Sequence, residues 1–157
     1  MSAIVRLVVS LALPLAVGAL SGLATARSVT DWYPALAKPP FNPPSWVFGP
    51  VWTALYLMMG AALYLVWREG AQRPEVRTAI LLFAVQLALN GLWSVLFFGV
   101  RSPALAFAEI LLLWTAIGAT TLAFWAIRTT AGALLLPYLA WVTFAAVLNG
   151  SIWWLNR

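Results

Sequence analysis

The chain has 157 residues, of which 64% are hydrophobic and 8% charged, with a formal net charge of +5. A soluble domain of this size carries roughly 25% charged residues, so there is too little polar surface to cover a water-soluble globule, and the solvent is read as lipid. The absence of Cys and His excludes disulfides, thiolate catalysis, Cys/His zinc sites and a Ser-His-Asp triad, and leaves a haem iron without its usual axial ligands.

A helix needs about 20 apolar residues to cross a bilayer. The chain therefore has room for five spans, short connections and one longer loop, and is read as a single all-α membrane domain over 1–157. Span one is predicted at 4–26. Ala24-Thr25-Ala26 resembles a signal-peptidase site, but the apolar run Leu7–Leu23 exceeds the usual signal core of about 7–15 residues, and a membrane span is the preferred reading. The segment Arg27–Trp46 differs in kind. It holds Pro34, Pro39, Pro40, Pro43 and Pro44, which no helix interior accommodates. Asp31–Leu36 is expected to make one short interfacial turn, and Lys38–Pro44 to be extended and stiff. Spans two to five are predicted at 47–67, 76–98, 104–127 and 133–154, with turns at Gly99–Pro103 and Arg128–Gly132.

Five spans place the ends of the chain on opposite faces. Face B carries the long loop, the turn at Arg101 and the C-terminus; face A carries the N-terminus, the 68–75 loop and Arg128. Face A has five basic residues near span ends (Arg6, Arg68, Arg73, Arg77, Arg128) and face B four (Arg27, Lys38, Arg101, Arg157), which leaves orientation open under the positive-inside rule. The scatter of single basic residues at span ends fits headgroup contact and not a nucleic-acid patch.

Polar side chains inside spans are costly and tend to mark function or helix contacts. Here they are Gln86, Asn90, Glu109 and Asn149. Helical spacing puts Gln86, Asn90, Trp93 and Phe97 on one face of span three. Tyr138, Trp141, Ala145 and Asn149, with Leu148 beside them, share a face of span five; Trp52, Tyr56 and Met59 share one of span two. At 1.5 Å per residue, Trp52, Asn149 and Glu109 lie roughly 8 Å in from face B, Asn90 roughly 12 Å and Trp141 roughly 20 Å. The combination points to an aromatic-walled pocket with a few orienting polar groups, lidded by the Pro/Trp-rich loop. Ordinary helix packing, with Asn and Gln as cross-helix glue, is the alternative for any single residue. Glu109 is expected either to pair with Arg101 or to stay protonated. The Gly18-xxx-Gly22 and Ala84-xxx-Ala88 pairs are expected at helix contacts, within a monomer or between two.

Several of these residues resemble a known family. Trp32-Tyr33, Lys38-Pro39, Asn42-Pro43-Pro44, Trp46 and Pro50–Tyr56 are similar to the long-loop signature of the translocator proteins, also called tryptophan-rich sensory proteins or peripheral benzodiazepine receptors. Gln86–Asn90 with Trp93-Ser94 and Phe97–Gly99 resembles their third helix, and Leu136–Trp141 with Phe144-Ala145 and Val147–Asn149 their fifth. The resemblance implies a five-helix bundle, a homodimer, in a bacterial cell-envelope membrane. It implies no obligatory cofactor but a tetrapyrrole ligand such as protoporphyrin IX or haem, or another hydrophobic small molecule. Carried over by position, the pocket comprises Tyr33, Pro44, Trp52, Asn90, Trp141, Ala145 and Leu148, beside Tyr56, Trp93 and Asn149 from the faces above. Some bacterial members promote light-dependent porphyrin breakdown through pocket tryptophans, the alternative reading to a receptor; no conventional acid–base constellation is present. Two features depart from the family. Phe41 stands where a loop Trp is frequent, and Asn149 is followed by Gly150-Ser151 where the sterol motif of animal members has Tyr and then a basic residue.

Overall fold

A computed structural model describes residues 2–157. The chain folds into helices α1 (Ala3–Asp31), α2 (Ser45–Trp67), α3 (Pro74–Ser94), α4 (Pro103–Ile127) and α5 (Thr129–Leu155), all five long and apolar enough to cross a membrane. It is an integral, multi-pass membrane protein. Local chemistry sets the ends. Ser2 and Ser102 cap α1 and α4, their hydroxyls accepting from Val5 N and Leu105 N, each at 3.3 Å. Pro74 and Pro103 open α3 and α4, where a missing N–H costs nothing.

Three boundaries differ from the sequence reading. α1 runs on to Asp31, because Ser28 donates its hydroxyl to the Phe98 carbonyl at 2.6 Å and Thr30 to the Arg27 carbonyl at 2.8 Å. The expected Arg128–Gly132 turn shrinks to Arg128 alone, which ends α4 and caps α5. Gly132 lies against Trp125, where a Cβ would stand 2.7 Å from the indole, so the reversal is sharp. Beyond α3, Val95–Gly99 forms a turn of π-helix, with Val100 N donating to Val95 O at 2.8 Å. Arg101 then takes the left-handed region at φ 57° and swings the chain into α4. The expected short turn near Asp31–Leu36 is a single 3-10 turn, Tyr33–Ala35.

The helices pack in the ring order α1, α2, α5, α4, α3, which closes back on α1. The face A half is solid. Met59, Leu63, Val66, Ile117 and Leu135 fill it, and Phe83 stacks on Phe124 with centroids 5.8 Å apart. Arg128 pairs with Glu69 across that face at 2.9 Å. A smaller cluster of Tyr33, Phe97, Ala106, Leu148 and Ile152 lies towards face B. α1 is largely reversed in polarity: it buries Ser10, Pro14, Thr25 and Ser28 and exposes Leu7, Val8, Leu13, Leu20 and Leu23, as a lipid-facing helix should, while Leu15 and Val17 pack on the core. Ala84 and Ala88 of α3 also face outward.

Candidate functional site

Between the two packed regions is a cavity of about 520 Å³, within the usual range for small-molecule sites. Every helix of the ring contributes to it. Tyr33, Trp52, Tyr56, Asn90, Trp93, Trp141, Ala145, Leu148 and Asn149 all line it. Pro44 does not: it precedes α2 as its N-cap, and its neighbour Ser45 reaches the wall instead. The sequence reading assigned nothing on α1, yet Gly18, Gly22 and Thr25 form one side. Their signal was present, since Gly18 and Gly22 had been expected at a helix contact. Gly18 does make one, against the Tyr56 ring within the same chain, whereas Gly22 faces open space.

The aromatic wall is built in interlocking pairs. Trp52 stacks on Tyr56 at 5.5 Å and 29°, and meets Tyr138 edge-on at 6.3 Å. Trp141 bridges α5 to α2 through Phe48 at 5.9 Å. Trp93 stacks on Phe97 at 5.2 Å. Phe97 joins this wall as the helical spacing from Trp93 predicts, and Phe98, its neighbour in the π turn, lines it too, a placement that a period of 3.6 does not anticipate.

The amides expected as pocket donors are engaged between helices. Asn90 Oδ1 accepts from Tyr56 Oη at 2.8 Å, and its Nδ2 donates to Tyr138 Oη at 3.0 Å, so one residue of α3 joins α2 and α5. Asn149 Oδ1 accepts from Trp93 Nε1 at 3.0 Å, and its Nδ2 donates to the Pro103 carbonyl at 2.8 Å. Each amide keeps one N–H unspent, so the ring of bonds orients the aromatic walls first. Gln86 is 1% exposed and meets only the Met59 sulfur, at 3.9 Å. Glu109 does not pair with Arg101. It is 6% exposed with both carboxylate oxygens unpartnered, while Arg101 is held outward by the turn before α4.

The loop covers the cavity from face B. Tyr33 is its contribution to the wall, and its hydroxyl donates to Asn42 Oδ1 at 2.9 Å. Burial pushes the Tyr33 phenol up from its ordinary range, with the Asn42 bond opposing, so the hydroxyl keeps its proton and donates. Lys38 Nζ lies 4.8 Å from the Tyr33 ring centre and donates to the Leu36 carbonyl at 2.9 Å. Phe41 meets Phe144 of α5 at 6.4 Å. The Asn156 side chain brackets Ala37, accepting from its N–H at 3.0 Å and donating to its carbonyl at 2.9 Å. Among the described residues, no Asp, Glu, Lys or Arg lines the cavity. Its chemistry is that of a shaped apolar container, whose polar side-chain groups are amides, hydroxyls and indole N–H groups.

The TspO/MBR family model matches residues 10–155. The tryptophan-rich protein TspO of Chlorobaculum tepidum is 45% identical over 153 residues, covering 98% of this chain and 97% of its own length. The tryptophan-rich sensory protein of Cereibacter sphaeroides is 42% identical over 127 residues, covering 80% of this chain and 77% of its own. The human translocator protein is 44% identical over 123 residues, covering 78% and 73%.

Proposed function

The chain belongs to the TspO/MBR family, and from that premise we propose that it is a membrane receptor for porphyrin-like ligands held in the cavity beneath the long loop. The observation that carries this reading is the wall itself. Trp52, Trp93 and Trp141 come from different helices and line one uncharged cavity, which suits a broad, flat, apolar ring system. Aromatic stacking is the interaction such a surface offers. The macrocycle's carboxylates would lie towards face B, where Arg27 is exposed, because the interior supplies no cation to meet them. The free N–H groups of Asn90 and Asn149 would orient the ring edge.

The test is titration of the purified protein in nanodiscs with protoporphyrin IX, followed by tryptophan fluorescence. Saturable quenching is expected. Trp52→Phe combined with Trp141→Phe should weaken binding by about 5- to 30-fold, equivalent to ~1–2 kcal/mol of lost aromatic contact. Unchanged fluorescence, or equal affinity in the double variant, would overturn the reading.

A further inference from the structure

The cavity is not closed all round, and its walls differ in how firmly they are held. Its roof is fastened by the Tyr33–Asn42 bond and by the Asn156 bracket around Ala37. The wall between α1 and α2 is not. Near face A these helices are in tight contact: a Cβ on Gly60 would stand 2.7 Å from the Ser10 carbonyl oxygen and 2.8 Å from Leu11 Cα. Towards face B they separate. Gly18 still rests on the Tyr56 ring, but beyond it Gly22 of α1 and Gly49 of α2 have nothing within 4 Å of a Cβ. Ala19, Gly22, Gly49 and Thr53 line the cavity and are also among the exposed residues of α1 and α2. Residues that belong to both surfaces mark a mouth.

Depth decides what the mouth opens onto. Gly49 and Thr53 lie about 6 and 12 Å below the first residue of α2, inside a hydrocarbon layer about 30 Å thick. Leu20 and Leu23, next in sequence to Ala19 and Gly22, are 66% and 78% exposed, as lipid-facing side chains are. The rim is made of small residues, so little side-chain movement is needed to pass it. Entry through the loop would instead break the bonds that fasten the roof.

We propose that the cleft between α1 and α2 is a lateral portal, through which an apolar ligand dissolved in the bilayer enters the cavity while the loop stays shut. The identity of the ligand rests on the receptor reading above, but the portal can be tested without one. The chain has no Cys, so Ala145→Cys takes a single spin label on the cavity wall. In nanodiscs, collisions with oxygen, which concentrates in hydrocarbon, should exceed those with a water-soluble nickel chelate. Gly22→Leu with Gly49→Leu should lower the oxygen collisions, and Asn156→Ala should leave both reagents unaffected. Chelate access that matches oxygen access and rises in Asn156→Ala would place the entrance at the loop and overturn the portal.

The second arm is stopped-flow binding of protoporphyrin IX. The paired leucine variant should slow association and dissociation each by about tenfold, a barrier higher by ~1.4 kcal/mol, with Asn156→Ala changing neither. Unchanged rates in the paired variant would also overturn the portal. Gly22→Ala and Gly49→Ala fit the open space and should give smaller slowing in the same direction, which separates narrowing from misfolding. Failure of the unsubstituted chain to bind porphyrin would count against the receptor reading alone, because the spin-label arm decides the portal independently.

Discussion

Asn90 holds two phenols at once, and both are buried with it. Replacing it by Leu keeps the volume but strands the hydroxyls of Tyr56 and Tyr138 in an apolar interior. Cross-helix polar bonds in membranes are worth ~0.6 kcal/mol on average and ~1.7 at most, so Asn90→Leu should cost about 1–2 kcal/mol in a reversible detergent-unfolding measurement. A cost close to zero would mean that the two phenols bond to each other once the amide is gone. Sequence alone singled out Asn90 and Asn149 but left open whether each meets a ligand or a neighbouring helix. An amide at mid-span carries the same signal whether it greets a ligand or ties helices. Only the partners, Tyr138 from 48 positions later and Trp93 from 56 positions earlier, distinguish the cases. Glu109 shows the same limit. Its cost was legible from composition, but its separation from Arg101 depends on the left-handed turn that directs Arg101 outward.

At the scale of elements, the crossing of α1 and α2 makes two glycines of similar appearance behave oppositely. Gly60 faces backbone, which cannot yield, whereas Gly22 faces nothing. Gly60→Val should force α1 off the bundle and cost ~2–4 kcal/mol, in the upper range for overpacking, seen as a marked fall in Tm in detergent. Gly22→Ala should be neutral or raise Tm slightly, since alanine favours a helix interior by up to ~1 kcal/mol over glycine. If both variants fell equally, the divergence of the two helices would be wrong. The spans were legible because each apolar run is long and closed by charge, proline or glycine. Their ends were less so. α1 gains its last residues through Ser28 bonding to Phe98 of the π turn, a long-range partner that no local pattern reveals. α5 begins early because Gly132 admits Trp125.

Across the whole molecule the bilayer halves have different work: one is filled and the other is hollow and roofed. The roof depends on the far end of the chain, because Asn156 brackets Ala37 from 119 residues away. Asn156→Ala should raise hydrogen exchange at the Ala37 amide by about tenfold, as expected for losing ~1–1.5 kcal/mol of hydrogen bonding, while exchange in α4 is unchanged. No rise would mean that Tyr33 and Phe41 hold the loop unaided. The long loop was recognisable from its prolines, but its attachment to the C-terminal residues was not. The opposite face carries a different consequence. Arg128 is all that separates α4 from α5, and its guanidinium is already committed to Glu69. With no spacer between them, neither helix can slide along the bilayer normal without drawing the other with it, so the pair behaves as one rigid hairpin.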